Sequence, residues 1–165
     1  MSRLTALLMM AVLLVTACSG DGASNDEAFG PDQLVAALQD QGVSTEAVDS
    51  PYGRADYLDQ AARQQVLCLD GQEASLFVYD TLSAAESDAA LIRPDGNPKN
   101  VAIDLLWGRL MWWAKGRVIV NYNFDDPAIS GSLTETMGTS LSPQGDSFSQ
   151  PPDPLPVSDA CQGQS

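Results

Sequence analysis

The 165 residues include no histidine. That removes the Ser-His-Asp and Cys-His constellations, in which imidazole takes a proton from the nucleophile, and every histidine-ligated metal site. No Walker loop, Gly-x-Gly-x-x-Gly stretch or Cys-x-x-Cys pair occurs either. Carboxylates are the abundant reactive groups, with 22 Asp and Glu against 8 Lys and Arg. Two acids flanking a glycosidic bond can hydrolyse it, so a carboxylate-dependent envelope hydrolase is the enzymatic alternative. Asp125-Asp126 is the most conspicuous acid pair, but Asp126 stands directly before Pro127, where a helix cap accounts for it. Asp95-Gly96-Asn97 lacks the spaced ligands and terminal glutamate of a calcium loop and reads as a turn. No catalytic residue, metal site or cofactor is expected.

Three cysteines, Cys18, Cys68 and Cys161, are the other reactive groups. Cys18 closes Val15-Thr16-Ala17-Cys18, after Arg3 and the apolar run from Leu4 to Val15. That run suits a secretory signal and is short for a bilayer span. Small residues before a cysteine resemble the bacterial lipobox, whose thiol receives diacylglyceryl before cleavage on its amino side. The expectation is a signal peptide over 1–17 and lipid on Cys18, whose two or three acyl chains anchor stably. A signal with ordinary cleavage and a transmembrane anchor are the alternatives; Ser19 to Glu27 turns polar at once and speaks against the second. Ser19 is not the aspartate that retains lipoproteins at the inner membrane of many Gram-negative bacteria. The expected location is therefore the outer membrane in a Gram-negative source, and otherwise the outer face of the cell membrane. Export implies an oxidising compartment, in which Cys68 and Cys161 are a natural disulfide pair; two free thiols are the alternative.

Removing 17 of the 165 residues leaves 148, enough for one domain with a core. The loss of Arg3 leaves 7 Lys and Arg against 22 Asp and Glu, a net charge of −15. Phosphate-rich partners are repelled, which excludes nucleic acid and disfavours anionic lipid surfaces. Residues 18–29 read as a flexible tether, 30–140 as the domain, and 141–165 as a Pro/Ser-rich tail.

The elements follow from caps, turns and periodicity. Gly30, Pro31 and Asp32 open a helix that buries Leu34 and Leu38, with Phe29 set to staple against Leu34, and Gly42 ends it. Val43 to Val48 suits a short strand. The stretch from the Ser50–Gly53 turn to Arg63 is ambiguous. Gln64–Leu69 and Gln72–Asp80 flank Asp70-Gly71, a hairpin signal that pairs Leu69 with Gln72 and Cys68 with Glu73. Ser83-Ala84-Ala85-Glu86 is a capping box for a second helix burying Leu82, Ala85, Ala89 and Ile92 and stopping before Pro94. Val101 to Trp107 alternates as a strand. Arg109–Ala114 and Arg117–Phe124 flank Lys115-Gly116, which pairs Trp113 with Val118 and Trp112 with Ile119. Asp126 and Pro127 open a third helix that buries Ile129, Leu133 and Met137 and stops at Gly138.

The fold class expected from this order is α+β, an antiparallel-dominated sheet with helices packed mainly on one face. Trp107 and Trp113 then belong to the core. The other face carries Phe77, Tyr79, Leu110, Trp112 and Ile119, an apolar patch that needs a cover or a partner. A Cys68–Cys161 bond would draw Pro151 to Val157 across it as a cover. Left open, it would be a groove for a peptide, glycan or envelope protein, with Trp112 and Tyr79 as anchors.

Several of these segments occur together in a recognisable order. Leu34-Val35-Ala36-Ala37-Leu38 precedes Gly42; Leu76-Phe77-Val78-Tyr79 follows, then Ala84-Ala85-Glu86, Asp88-Ala89-Ala90-Leu91-Ile92 and Pro94-Asp95-Gly96. A Trp and Gly116-Arg117-Val118-Ile119-Val120-Asn121-Tyr122 come before Asp125-Asp126. The combination, over 31–138, resembles a family of uncharacterised bacterial lipoproteins. Its members carry a Pro/His-aromatic stretch where this chain has Leu110-Met111-Trp112-Trp113. The resemblance implies a lipoprotein with a single domain, and it implies no activity. The function expected is a membrane-anchored, non-enzymatic binding or interaction module of the cell envelope; a purely structural envelope protein is a third possibility.

Overall fold

The computed structural model describes residues 29–52, 57–99, 109–124, 126–144 and 158–162. The elements are α1 (Pro31–Asp40), β1 (Thr45–Asp49), β2 (Arg63–Leu69), β3 (Gln72–Val78), α2 (Leu82–Ala89), β4 (Met111–Lys115), β5 (Val118–Tyr122) and α3 (Pro127–Met137), with a short 3-10 turn at Asp159–Cys161. The five strands form one sheet in the order β1-β2-β3-β5-β4, every pair antiparallel. This is the expected α+β fold. Cys18, the signal segment, the tether, the Val101–Trp107 strand and the Pro151–Val157 stretch lie outside the described residues.

Helix ends follow local chemistry. Pro31 takes the first position of α1, and the Gln33 side chain accepts the Gly30 N–H at 3.0 Å. Asp126 caps α3, its carboxylate accepting the N–H groups of Ala128 and Ile129. For α2 the cap is Thr81 and not Ser83: the Thr81 hydroxyl accepts the Ala84 N–H at 3.2 Å, and the helix stops at Ala89, short of Ile92. Thr81 competes successfully because its backbone is extended (φ −134°, ψ 151°), which leaves its side chain free to reach forward.

The two hairpins differ in how they turn. Asp70 and Gly71 both adopt positive φ (50° and 81°), and the strands pair Leu69 with Gln72 and Cys68 with Glu73, as expected. In the second hairpin the turn residues are Gly116-Arg117, not Lys115-Gly116. Trp113 therefore pairs with Val120 and Trp112 with Asn121. A tight turn that needs positive φ only at its first central residue selects Gly116 (φ 55°) for that place. The slip is two residues, so each side chain keeps its face.

Two cores result. One lies between the sheet and the α1–α3 pair, where Leu34, Leu38, Leu76, Trp113, Val120 and Leu133 are fully buried. The other lies on the opposite face beneath α2. Two of the three helices among the described residues thus share one face, and the second face has its own cover. The fold also extends past residue 140: Ser142 is buried, and Cys161 is bonded to Cys68 with Cα atoms 5.5 Å apart.

Candidate functional site

The residues expected to form an apolar patch, either covered or open to a partner, are gathered together in a core. Phe77, Leu110, Trp112 and Ile119 are 0% exposed and Tyr79 is 1%. None of them is an open binding surface. The cover comes from Ala85 of α2 and Ile92, which the sequence signals, and from Tyr57, Leu58 and Ala61 before β2 and Leu141, which it does not. Tyr57 stands edge-on to Trp112, with centroids 6.3 Å apart. Its partial burial raises the pKa of its hydroxyl above the ordinary 10.0.

The polar atoms of this core are satisfied in ways that lock it. The Trp112 indole N–H donates to the Gly96 carbonyl at 2.7 Å. The Tyr79 hydroxyl donates to Asp88 Oδ2 at 3.1 Å, and the Gln60 N–H donates to the same oxygen, so the buried Asp88 ties α2 to the covering loop. Along the outer edge of β4, Ser142 accepts the Trp112 N–H at 3.0 Å and donates to the Leu110 carbonyl at 3.0 Å. The Leu141 N–H donates to the Trp112 carbonyl at 2.7 Å. An edge that would otherwise expose its backbone is closed there by side chains and loop backbone.

The carboxylates proposed for chemistry have structural work. Asp126 caps α3 through Oδ1 and accepts Gln72 Nε2 through Oδ2 at 3.3 Å. Asp125 lies outside the described residues. The Asp95 side chain accepts the Asn97 N–H at 2.9 Å and pairs with Arg93 at 3.3 Å, which makes 95–97 a closed turn. Among the described residues no three His, Cys, Asp or Glu come together as metal ligands. Cys68 and Cys161, joined in a disulfide, hold Ser158 close to β3, where its hydroxyl donates to Glu73 Oε2 at 2.6 Å. The same carboxylate oxygen accepts the Tyr52 hydroxyl at 3.3 Å, and its negative charge is the main cause of a raised Tyr52 pKa.

Open space lies elsewhere, on either side of the Gly116-Arg117 turn. A cavity of about 590 Å3 sits at the edge of β4, between α2 and the C-terminal end of α3, lined in part by Glu86, Ala114, Lys115 and Glu135. Trp112 turns its N–H and C=O outward, and the two-residue strand period turns those of Ala114 to the same side. Lys115 is fixed, its Nζ donating to the Thr136 carbonyl at 2.8 Å and lying 4.7 Å from the centre of the Phe29 ring.

A second cavity, of about 400 Å3, is lined by Gly30, Asp32, Arg63, Asp80 and Arg117, among others. Its two arginines form no ion pair among the described residues, and Arg117 Nε has no hydrogen-bond partner. The Arg117 backbone N–H donates to the Phe29 carbonyl at 2.9 Å, so the first described residue of the chain lies against this turn. The sequence reading missed both cavities, because arginines and acids scattered from Asp32 to Arg117 carry no spacing signal. No protein-family model, curated protein or solved structure matches the chain.

Proposed function

We propose that this chain is a lipid-anchored, non-enzymatic interaction module of the bacterial cell envelope. The observation that carries the reading is the cysteine arithmetic. Of three cysteines, two are consumed by the Cys68–Cys161 bond, and the remaining one, Cys18, follows an apolar run and small residues in the lipobox pattern. A disulfide also suits an exported chain, since the cytosol keeps thiols reduced. A non-enzymatic role is supported by the engagement of Asp95 and Asp126 in turns and caps, and of Asp88 within a core.

Interaction is the role best suited to what is left open. The cavity beside β4 combines a strand edge at Ala114 with a rim bearing Glu86 and Glu135, where an extended segment of a partner could add to the sheet. Photo-crosslinking residues placed at Glu86 and Glu135, in the anchored protein in its native envelope, test this. Discrete crosslinked partners from these positions, absent when the same group stands at Asp40 on the exposed side of α1, are the expected result. Identical capture from all three positions would contradict it. The carboxylate-hydrolase reading has one observation in its favour, that Glu86 and Glu135 line the same cavity. It requires glycan cleavage that Glu86→Gln and Glu135→Gln each abolish.

A further inference from the structure

We infer that the Arg63–Arg117 cavity holds the zwitterionic phosphoethanolamine headgroup of a phospholipid in the anchoring membrane, which sets the domain's orientation on the bilayer. The inference rests on the anchoring proposed above and deepens it, since it names a ligand for a part of the domain.

Three observations point this way. The first is position. Phe29, the residue at which the chain enters the domain, accepts the Arg117 N–H at its carbonyl oxygen and lays its ring against the Lys115 ammonium. Only eleven residue steps separate it from Cys18. As a random coil a chain of that length spans only about 18 Å on average, so this end of the domain is the one that a lipid on Cys18 holds near the headgroups.

The second is charge. In a chain with 22 acidic and 8 basic residues, basic groups are scarce, yet Arg63, Lys115 and Arg117 gather at this end. Lys115 is occupied by the Thr136 carbonyl, whereas Arg63 and Arg117 line the cavity without an ion pair among the described residues. A guanidinium is the side chain best matched to a phosphate, because its planar donors meet two oxygens at once.

The third is the pairing of signs within the cavity. Asp32 and Asp80 line it together with the arginines. A phosphate alone would leave these carboxylates facing an anion. A primary ammonium two carbons from the phosphate gives them a cation with three N–H donors. Anionic headgroups are the poorer match, because the net charge of −15 left after loss of Arg3 repels a negative surface. Choline headgroups lack N–H donors for the carboxylates.

The test uses the full chain purified from bacterial membranes, its acylation read first by intact mass. It is reconstituted into vesicles of phosphatidylcholine alone or of phosphatidylcholine with an equal part of phosphatidylethanolamine, and hydrogen exchange is followed. Exchange at 30–34 and 116–118 slower by about threefold or more with phosphatidylethanolamine is the expected result. The Arg63→Gln/Arg117→Gln variant should lose that difference, while exchange at 72–78 stays unchanged and reports an intact fold. Equal exchange in the two vesicles, or a difference retained by the variant, overturns the inference and leaves the anchor standing. A chain without acyl groups refutes the anchor itself, a separate result. Slowing by inorganic phosphate as strong as that by soluble phosphoethanolamine also overturns the inference, because the cavity would then be a plain anion site.

Discussion

Gly96 is the residue on which the second core closes most tightly. It adopts φ +90°, and a Cβ built there would stand 2.6 Å from the Leu110 Cβ and 2.7 Å from the Leu110 carbonyl oxygen. Its own carbonyl accepts the Trp112 indole N–H. Gly96→Ala therefore combines backbone strain with a clash against backbone, and should cost about 2–4 kcal/mol in urea unfolding. Tyr57 gives the same core a pH dependence. Burial raises its pKa above the ordinary 10.0, so the protonated ring is the form that the folded state favours. Its contribution is complete below about pH 10 and is lost as pH rises through the raised folded value. Tyr57→Phe, which keeps the ring, should unfold less steeply with alkali than the parent; an unchanged alkaline limb would contradict this. Trp113 as a core residue was legible from alternation, and so was the face of Trp112. That Tyr57, Leu58 and Ala61 form part of its cover was not, because they lie in a stretch with neither period nor cap.

Among the elements, β4 depends most on a side chain distant in sequence. Ser142 accepts from the Trp112 N–H and donates to the Leu110 carbonyl, 30 and 32 residues away. Ser142→Ala leaves both groups buried and unpaired and should cost about 1–3 kcal/mol. Ser140→Ala should cost less, because the Trp112 carbonyl to which Ser140 donates keeps the Leu141 N–H, and only the Ser142 N–H, held at 3.2 Å, loses its partner. Thermal unfolding of the two variants side by side decides this, and equal losses would contradict it. Caps and turn residues made most elements readable: Pro31, Asp126-Pro127 and Asp70-Gly71 each act where the sequence places them. The errors came where two residues compete for one role. Thr81 displaced Ser83 as a cap, and Gly116 took the first turn position. Such contests are decided by backbone angles that neighbouring strands impose. The two-residue slip in register left both faces intact, so the cores were readable even though the pairing was not.

At the scale of the whole molecule, the Cys68–Cys161 bond closes a loop with a sequence separation of 93 and ties Ser158 and Glu73 together. Its replacement by Cys68→Ala/Cys161→Ala should cost roughly 2–5 kcal/mol, chiefly by freeing the unfolded chain, with hydrogen exchange at 158–162 rising first. Stability unchanged by the replacement would show that the bond is dispensable to the fold. The fold class and the cysteine pair were readable from pattern, compartment and count; the cavities were not, because they arise only when distant segments meet at one end of the sheet. That end is also where Phe29 enters, which would link the open surfaces to the proposed anchor. The central claim is therefore the lipid on Cys18, and mass spectrometry of the amino-terminal peptide from membrane-extracted protein tests it directly. The account predicts a peptide that begins at Cys18 and carries diacylglyceryl on its sulfur, lost together with membrane retention in Cys18→Ser. A peptide that begins elsewhere, or an unmodified Cys18 thiol on a protein still held at the membrane, would contradict it.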